Sequence, residues 1–139
     1  NNIFLNKIME NIRIKYICKN QIKKGISGTR ELLQYFKKNY SIALMIDQRV
    51  SEGIKLNFYG RPAFTTTIPA QLVKKYKCKI VPIYIERINK VNYKMSVNNP
   101  ITFNETSTIE SITMNLNNWL EKMIRKNPSQ WIWSHDRWK

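Results

Sequence analysis

Three places in the 139-residue sequence set chemically capable side chains together. The apolar run of residues 41–46 stops at Asp47-Gln48-Arg49. Polar groups at the carboxyl end of a buried strand stand where α/β folds place their ligands. A carboxylate, an amide and a guanidinium there are candidates for contact with a ligand, while Asp47 serves equally as a cap for nearby backbone amides. Residues 128–139 concentrate Trp131, Trp133 and Trp138 around Arg137. Indoles beside cations suit a membrane headgroup layer, where rings bury and cations meet phosphates; the same rings serve equally as core over a sheet edge. His135-Asp136 invites acid–base chemistry, but adjacent residues seldom point at one another and no Ser or Cys lies in a nucleophile elbow. His135 is therefore read as a packing histidine. Cys18 and Cys78 have no paired spacing and the sequence has one histidine, which argues against structural zinc and a disulfide scaffold. No cofactor is implied.

The elements that must position these groups follow from periodicity. Residues 3–17 read as an amphipathic helix, with Ile8, Ile12 and Tyr16 on one face. A second helix, through Leu32, Leu33, Tyr35 and Phe36, is expected to be capped by Ser27 or Thr29 and to stop near Asn39. The unalternating runs 41–46 and 80–85 read as strands covered on both faces, as in a parallel sheet. Ile54, Leu56 and Phe58 alternate with polar residues up to a turn at Gly60-Arg61-Pro62. Thr65 to Thr67 and Pro69 start a helix that ends in Lys74-Lys75-Tyr76-Lys77, and Tyr93, Met95 and Val97 form a further alternating strand. A helix over 109–125, capped by Thr106 to Thr108, ends at Asn127-Pro128. This order predicts an α/β fold, a mixed, mostly parallel sheet flanked by helices with at least one antiparallel addition. No repeat, linker or boundary interrupts it, so residues 1–139 are read as part of one domain.

Lys and Arg number 24 against 9 Asp and Glu, a formal charge of +15, so anionic partners are expected. Part of that charge follows from composition alone, since 20 Ile, 17 Lys and 16 Asn match the usage of AT-rich coding DNA. With 42% hydrophobic residues the chain has the apolar surface that a disordered basic tail lacks. No window approaches the ~18–20 apolar residues of a membrane span. The chain begins Asn1-Asn2 rather than with Met, which predicts a fragment of a longer protein.

Several segments together resemble a known family. Asp47-Gln48, Glu52-Gly53-Ile54, Phe58 through Thr66, Val81-Pro82, and Pro128 through Trp131, Trp133, His135 and Arg137-Trp138-Lys139 are similar, in order and spacing, to the carboxyl-terminal half of the bacterial lipid A biosynthesis acyltransferases, the lauroyl/myristoyl family. Asn1 through Leu5, Glu10 and Arg13 resemble the family helix that follows the catalytic region. The resemblance covers nearly the whole chain and implies a glycerolipid-acyltransferase-like fold, incomplete at the amino-terminal side. It implies transfer of a fatty acyl chain from acyl carrier protein to a hydroxyl of a phosphorylated glucosamine lipid, at the cytoplasmic face of the inner membrane. The family's catalytic His, followed four residues later by Asp or Glu, would lie upstream with the membrane anchor, so no catalytic residue is expected in this chain and no activity from it alone. The resemblance assigns substrate binding to Arg13, Asp47, Gln48 and Arg49, and the flank of the acyl pocket to Phe58, Tyr59, Phe64 and Thr65 to Thr67. A solvated Arg13 and ordinary packing of the aromatics account for the same residues. Trp131, Trp133, Arg137 and Trp138 are the candidates for contact with an anionic membrane surface.

Two rival readings carry different expectations. A basic nucleic-acid module would account for the charge, but the chain has no zinc spacing and no aromatic-rich strand of the kind that reads single-stranded RNA; no nucleic-acid partner is expected. An inactive split-gene remnant would expose an apolar sheet edge.

Overall fold

The computed structural model describes residues 3–22 and 25–139; Asn1 and Asn2, which belong to the segment resembling the family helix, and Lys23 and Lys24 lie outside the described residues. The chain divides into two compact units, residues 1–43 and Leu44–Lys139.

The first unit contains α1 (Ile3–Tyr16) and α2 (Ile26–Lys37). The apolar stripe of α1 is solvent-facing: Leu5, Ile8, Met9 and Ile12 are all exposed. Gly25, at a φ of 110°, is the N-cap of α2. The expected caps Ser27 and Thr29 fall inside the first turn, where the Thr29 hydroxyl donates to the Gly25 carbonyl at 3.3 Å. Glycine takes the cap because the chain enters the helix through a conformation closed to other residues.

The second unit holds β1 (Ile54–Phe58), β2 (Arg61–Thr65), α3 (Ile68–Tyr76), β3 (Ile83–Asn89), β4 (Asn92–Val97) and α4 (Ile109–Lys126). Its sheets are two separate antiparallel hairpins, β1–β2 and β3–β4. The expected parallel sheet is not found among the described residues, for two reasons. Both hairpins close through two-residue connections, which force antiparallel pairing, and α3 leads from one hairpin to the other instead of crossing back over a sheet. Residues 41–46 form no ladder, and Leu44 and Met45 are exposed. Residues 80–85 contribute to a strand that starts only at Ile83, with Val81, Ile83 and Ile85 exposed rather than covered.

In the β1–β2 turn Tyr59 and Gly60 have φ of 52° and 77°. Positive φ at both positions is the type I′ geometry that matches strand twist. Tyrosine is unfavourable there, and Glu121 on α4 compensates by accepting from the Tyr59 N–H at 2.6 Å, while the Tyr59 hydroxyl donates to the Glu121 carbonyl at 3.0 Å. Pro62, which suggested a turn, lies within β2 opposite Asn57; proline is tolerated on an edge strand because it owes no ladder bond there. The predicted cap of α4 is present, with the Thr108 hydroxyl accepting from the Ser111 N–H at 3.0 Å.

α4 packs on α3 and β1. Phe58, Ala63, Leu120 and Ile124 form one core cluster, joined by Ile46, Tyr59, Trp119, Trp131 and Trp138. Ala70, Val73 and Ile112 form a second, with Cys78, Ile80 and Phe103 at its margin.

Candidate functional site

Asp47, Gln48, Trp131, Ile132 and His135 line a cavity of about 80 Å³. Asp47 and Gln48 are half-buried just past Ile46, whose side chain packs on the aromatic core and so fixes where the following polar pair stands. Trp131 holds the opposite wall, in edge-to-face contact with Phe58 at 5.9 Å and with Trp133 at 4.6 Å. His135 ends a short 3-10 turn, Trp133–His135, that the Trp133 indole anchors by donating to the Pro128 carbonyl at 2.8 Å. A carboxylate, an amide, an imidazole and an indole around one small cavity can accept and donate hydrogen bonds to a polyhydroxylated group.

The structure brings Asp47 and Gln48 together with His135, which reads from the sequence as a packing histidine. The signal for it lay in the tail motif: Trp131, Trp133 and His135 are spaced by two, and the tail folds so that Trp131 and His135 both reach the cavity.

Behind this wall lies a buried polar network. Arg137 is 1% exposed. Its Nη1 donates to the Phe64 carbonyl and its Nη2 to the Thr65 hydroxyl at 2.9 Å. Thr65 Oγ1 also accepts from Asn117 Nδ2 at 3.3 Å and donates to the Ala63 carbonyl at 3.2 Å, so its one donor and both lone pairs are used. Asn117 Nδ2 in addition donates to the Asn57 carbonyl at 3.2 Å. Burial pushes the Arg137 guanidinium below its ordinary range, and the negative charge of Asp47 opposes that shift. Arg137 Nε and Arg49 Nε are buried without a hydrogen-bond partner among the described residues. Asn117 was missed in the sequence, although an asparagine one residue past Leu116 in an apolar stripe is a sign of a buried polar contact.

The remaining candidates are placed as follows. Arg49 lies 5.7 Å from the Phe64 ring, which Lys55 also covers at 5.1 Å. Phe58 is fully buried among Tyr59, Trp131 and Trp138. Thr65 is 2% exposed. Phe58 and Thr65 are thus buried in the core of the second unit. Arg13 is exposed on α1 in the first unit. The membrane expectation for the tail changes most. Trp131 and Trp138 pack on the core, and the Trp138 indole donates to the Phe58 carbonyl at 2.9 Å. Arg137 lies inside the protein. Trp133, 48% exposed, is the one member of that set with a substantial free surface. The tail is tied to the β1–β2 hairpin by these donors, Arg137 to the Phe64 carbonyl and Trp138 to the Phe58 carbonyl.

A second cavity, of about 190 Å³, is lined by Lys74, Lys77, Lys79, Cys78, Phe103 and Glu105 among others. Lys77 pairs with Glu105 at 2.5 Å, and that hydrogen bond, with the charge behind it, lowers the Glu105 carboxyl from its ordinary value. Burial raises the Cys78 thiol. Among the described residues, no helix is long and apolar enough to cross a membrane.

A model of the family described as bacterial lipid A biosynthesis acyltransferase matches residues 1–139, the whole chain. No curated protein matches it.

Proposed function

Because the chain belongs to the bacterial lipid A biosynthesis acyltransferases, we propose that it carries the acceptor-binding side of a site in which a fatty acyl group passes from acyl carrier protein to a hydroxyl of a phosphorylated glucosamine lipid. The family fixes the coarser part: an acyltransferase of lipid A biosynthesis, with an acyl donor and a lipid acceptor, in a class of enzymes that is membrane-associated.

The observation that carries the finer reading is the convergence of Asp47, Gln48, Trp131 and His135 on one small cavity. Asp47 and Gln48 accept hydrogen bonds from acceptor hydroxyls, His135 supplies a further polar contact, and Arg49 supplies positive charge for a phosphate. The chemical step needs a base upstream of residue 1: a His, followed four residues later by Asp or Glu, takes the proton of the acceptor hydroxyl. Its oxygen then forms the ester bond to the acyl carbon as the thioester C–S bond breaks, and the proton leaves with the thiol. The 139-residue chain alone is therefore inactive. The complete protein acts at the cytoplasmic face of the inner membrane, held there in part by the +15 charge.

The test is Asp47→Asn in the complete protein, read as the mass of the lipid A produced. The expected result is loss of one acyl chain from most of the lipid; an unchanged acylation pattern removes Asp47 from the site.

A further inference from the structure

The exposed apolar surface of the second unit is concentrated on one hairpin. In the β3–β4 register Ile83 lies opposite Val97, Ile85 opposite Met95 and Arg87 opposite Tyr93. Directly opposed residues point to the same side, so these six side chains share a face. That face is bare: Ile83 and Ile85 are 50% and 58% exposed, and Met95 and Val97 are 62% and 61% exposed. At the turn Ile88 and Val91 are exposed as well.

Between Pro82 and Arg87 the outer edge of β3 has no partner strand among the described residues. The Asn98 N–H donates to the Pro82 carbonyl, and the Arg87 N–H and carbonyl are both taken by the side-chain amide of Gln130, at 2.7 and 2.8 Å. With those ends fixed, the alternation of an antiparallel ladder turns the N–H and carbonyl groups of Ile83 and Ile85 away from β4.

The charges on and beside the apolar face are basic: Arg87 shares that face and Lys90 lies in the turn at its end, while Glu86 and Lys94 oppose one another on the other face. Arg87 lies over the Tyr93 ring at 5.3 Å and donates to its hydroxyl at 3.1 Å, which places a cation at the margin of the apolar patch. An apolar face with a basic rim fits an anionic lipid leaflet, in which side chains enter the acyl boundary while amines stay among the phosphates.

We propose that the β3–β4 hairpin is the element by which this chain rests on an anionic bilayer, with the Ile83–Ile85–Met95–Val97 face toward the lipid. This deepens the membrane part of the proposed function and rests on it. The open edge sets the depth. Unpaired N–H and carbonyl groups cost several kcal/mol each in hydrocarbon, so the hairpin lies in the headgroup layer, where water and phosphate oxygens bond them. The role expected of the tail tryptophans thereby passes to aliphatic residues on a different element.

The test is co-sedimentation of the chain with vesicles of phosphatidylethanolamine and phosphatidylglycerol, at low and high salt. Ile85→Ser with Met95→Ser removes the face, Arg87→Glu with Lys90→Glu reverses the rim, and Leu5→Ser with Ile12→Ser on α1 is the control. Both hairpin variants are expected to lower partitioning roughly tenfold or more, at about 1 kcal/mol for each basic residue near the surface, and the control to leave it unchanged. Binding that survives both hairpin changes, or that only the α1 change abolishes, overturns the proposal while leaving membrane association intact. A wild-type chain that ignores anionic vesicles overturns it too, without touching the Asp47 test. A face covered by protein instead would show as self-association lost in the Ile85→Ser, Met95→Ser variant while vesicle binding is retained, which also overturns it.

Discussion

The two hairpins of the second unit are built alike and end differently. Each pairs short antiparallel strands through a two-residue connection, and each places apolar residues on one face: Ile54, Leu56, Phe58 and Ala63 in β1–β2, and Ile83, Ile85, Met95 and Val97 in β3–β4. In the first, α4 and the tryptophan tail cover that face and Phe58 has no exposed surface. In the second, nothing among the described residues covers it, and the four side chains are at least half exposed. Alternation in a strand therefore states which side is apolar; whether that side becomes core depends on a covering element elsewhere in the chain.

Three substitutions would break or sharpen this contrast. Phe58→Ala removes the ring on which Tyr59, Trp131 and Trp138 converge and is expected to cost about 3–5 kcal/mol by denaturant unfolding, as for a large-to-small change in a packed core. A cost near zero would mean that β1–β2 is no better covered than β3–β4. Gly53→Ala comes next. A Cβ there would collide with the Thr65 backbone carbonyl and stand 2.7 Å from Val50 Cγ2, and backbone yields less readily than a side chain, so about 1–3 kcal/mol is expected. The smallest effect belongs to the open hairpin: Ile85→Ala should leave the unfolding midpoint within about 0.5 kcal/mol of wild type. A loss as large as that of Phe58→Ala would show that the face is packed in solution.

How much of this was readable in the sequence differs by element. The helices, the Thr108 cap and the alternating strands β1 and β4 were evident from periodicity, because one buried face imposes a period that local sequence records. The strand β2 was not, since Pro62 argued for a turn and only the edge position makes it acceptable. Residues 41–46 and 80–85 were read as covered on both faces. Their composition states a preference, and cover is a property of whatever packs against them. Asp47 and Gln48 were expected at the end of a buried strand, whereas the segment before them forms no ladder and only Ile46 packs on the core. The burial of Arg137 was not expected, because the acceptors that satisfy it, Phe64 and Thr65, lie more than seventy positions away in the chain.

Those distant acceptors also bear on how fast the unit can form. Arg137 meets Thr65 across 72 residues of chain and Trp138 meets Phe58 across 80. α3, α4 and both hairpin turns assemble from near neighbours, whereas these contacts require large loops to close before the aromatic cluster repays the lost chain entropy. The rate of folding is thus expected to follow how often residues 131–138 find the β1–β2 hairpin, rather than how quickly the helices coil.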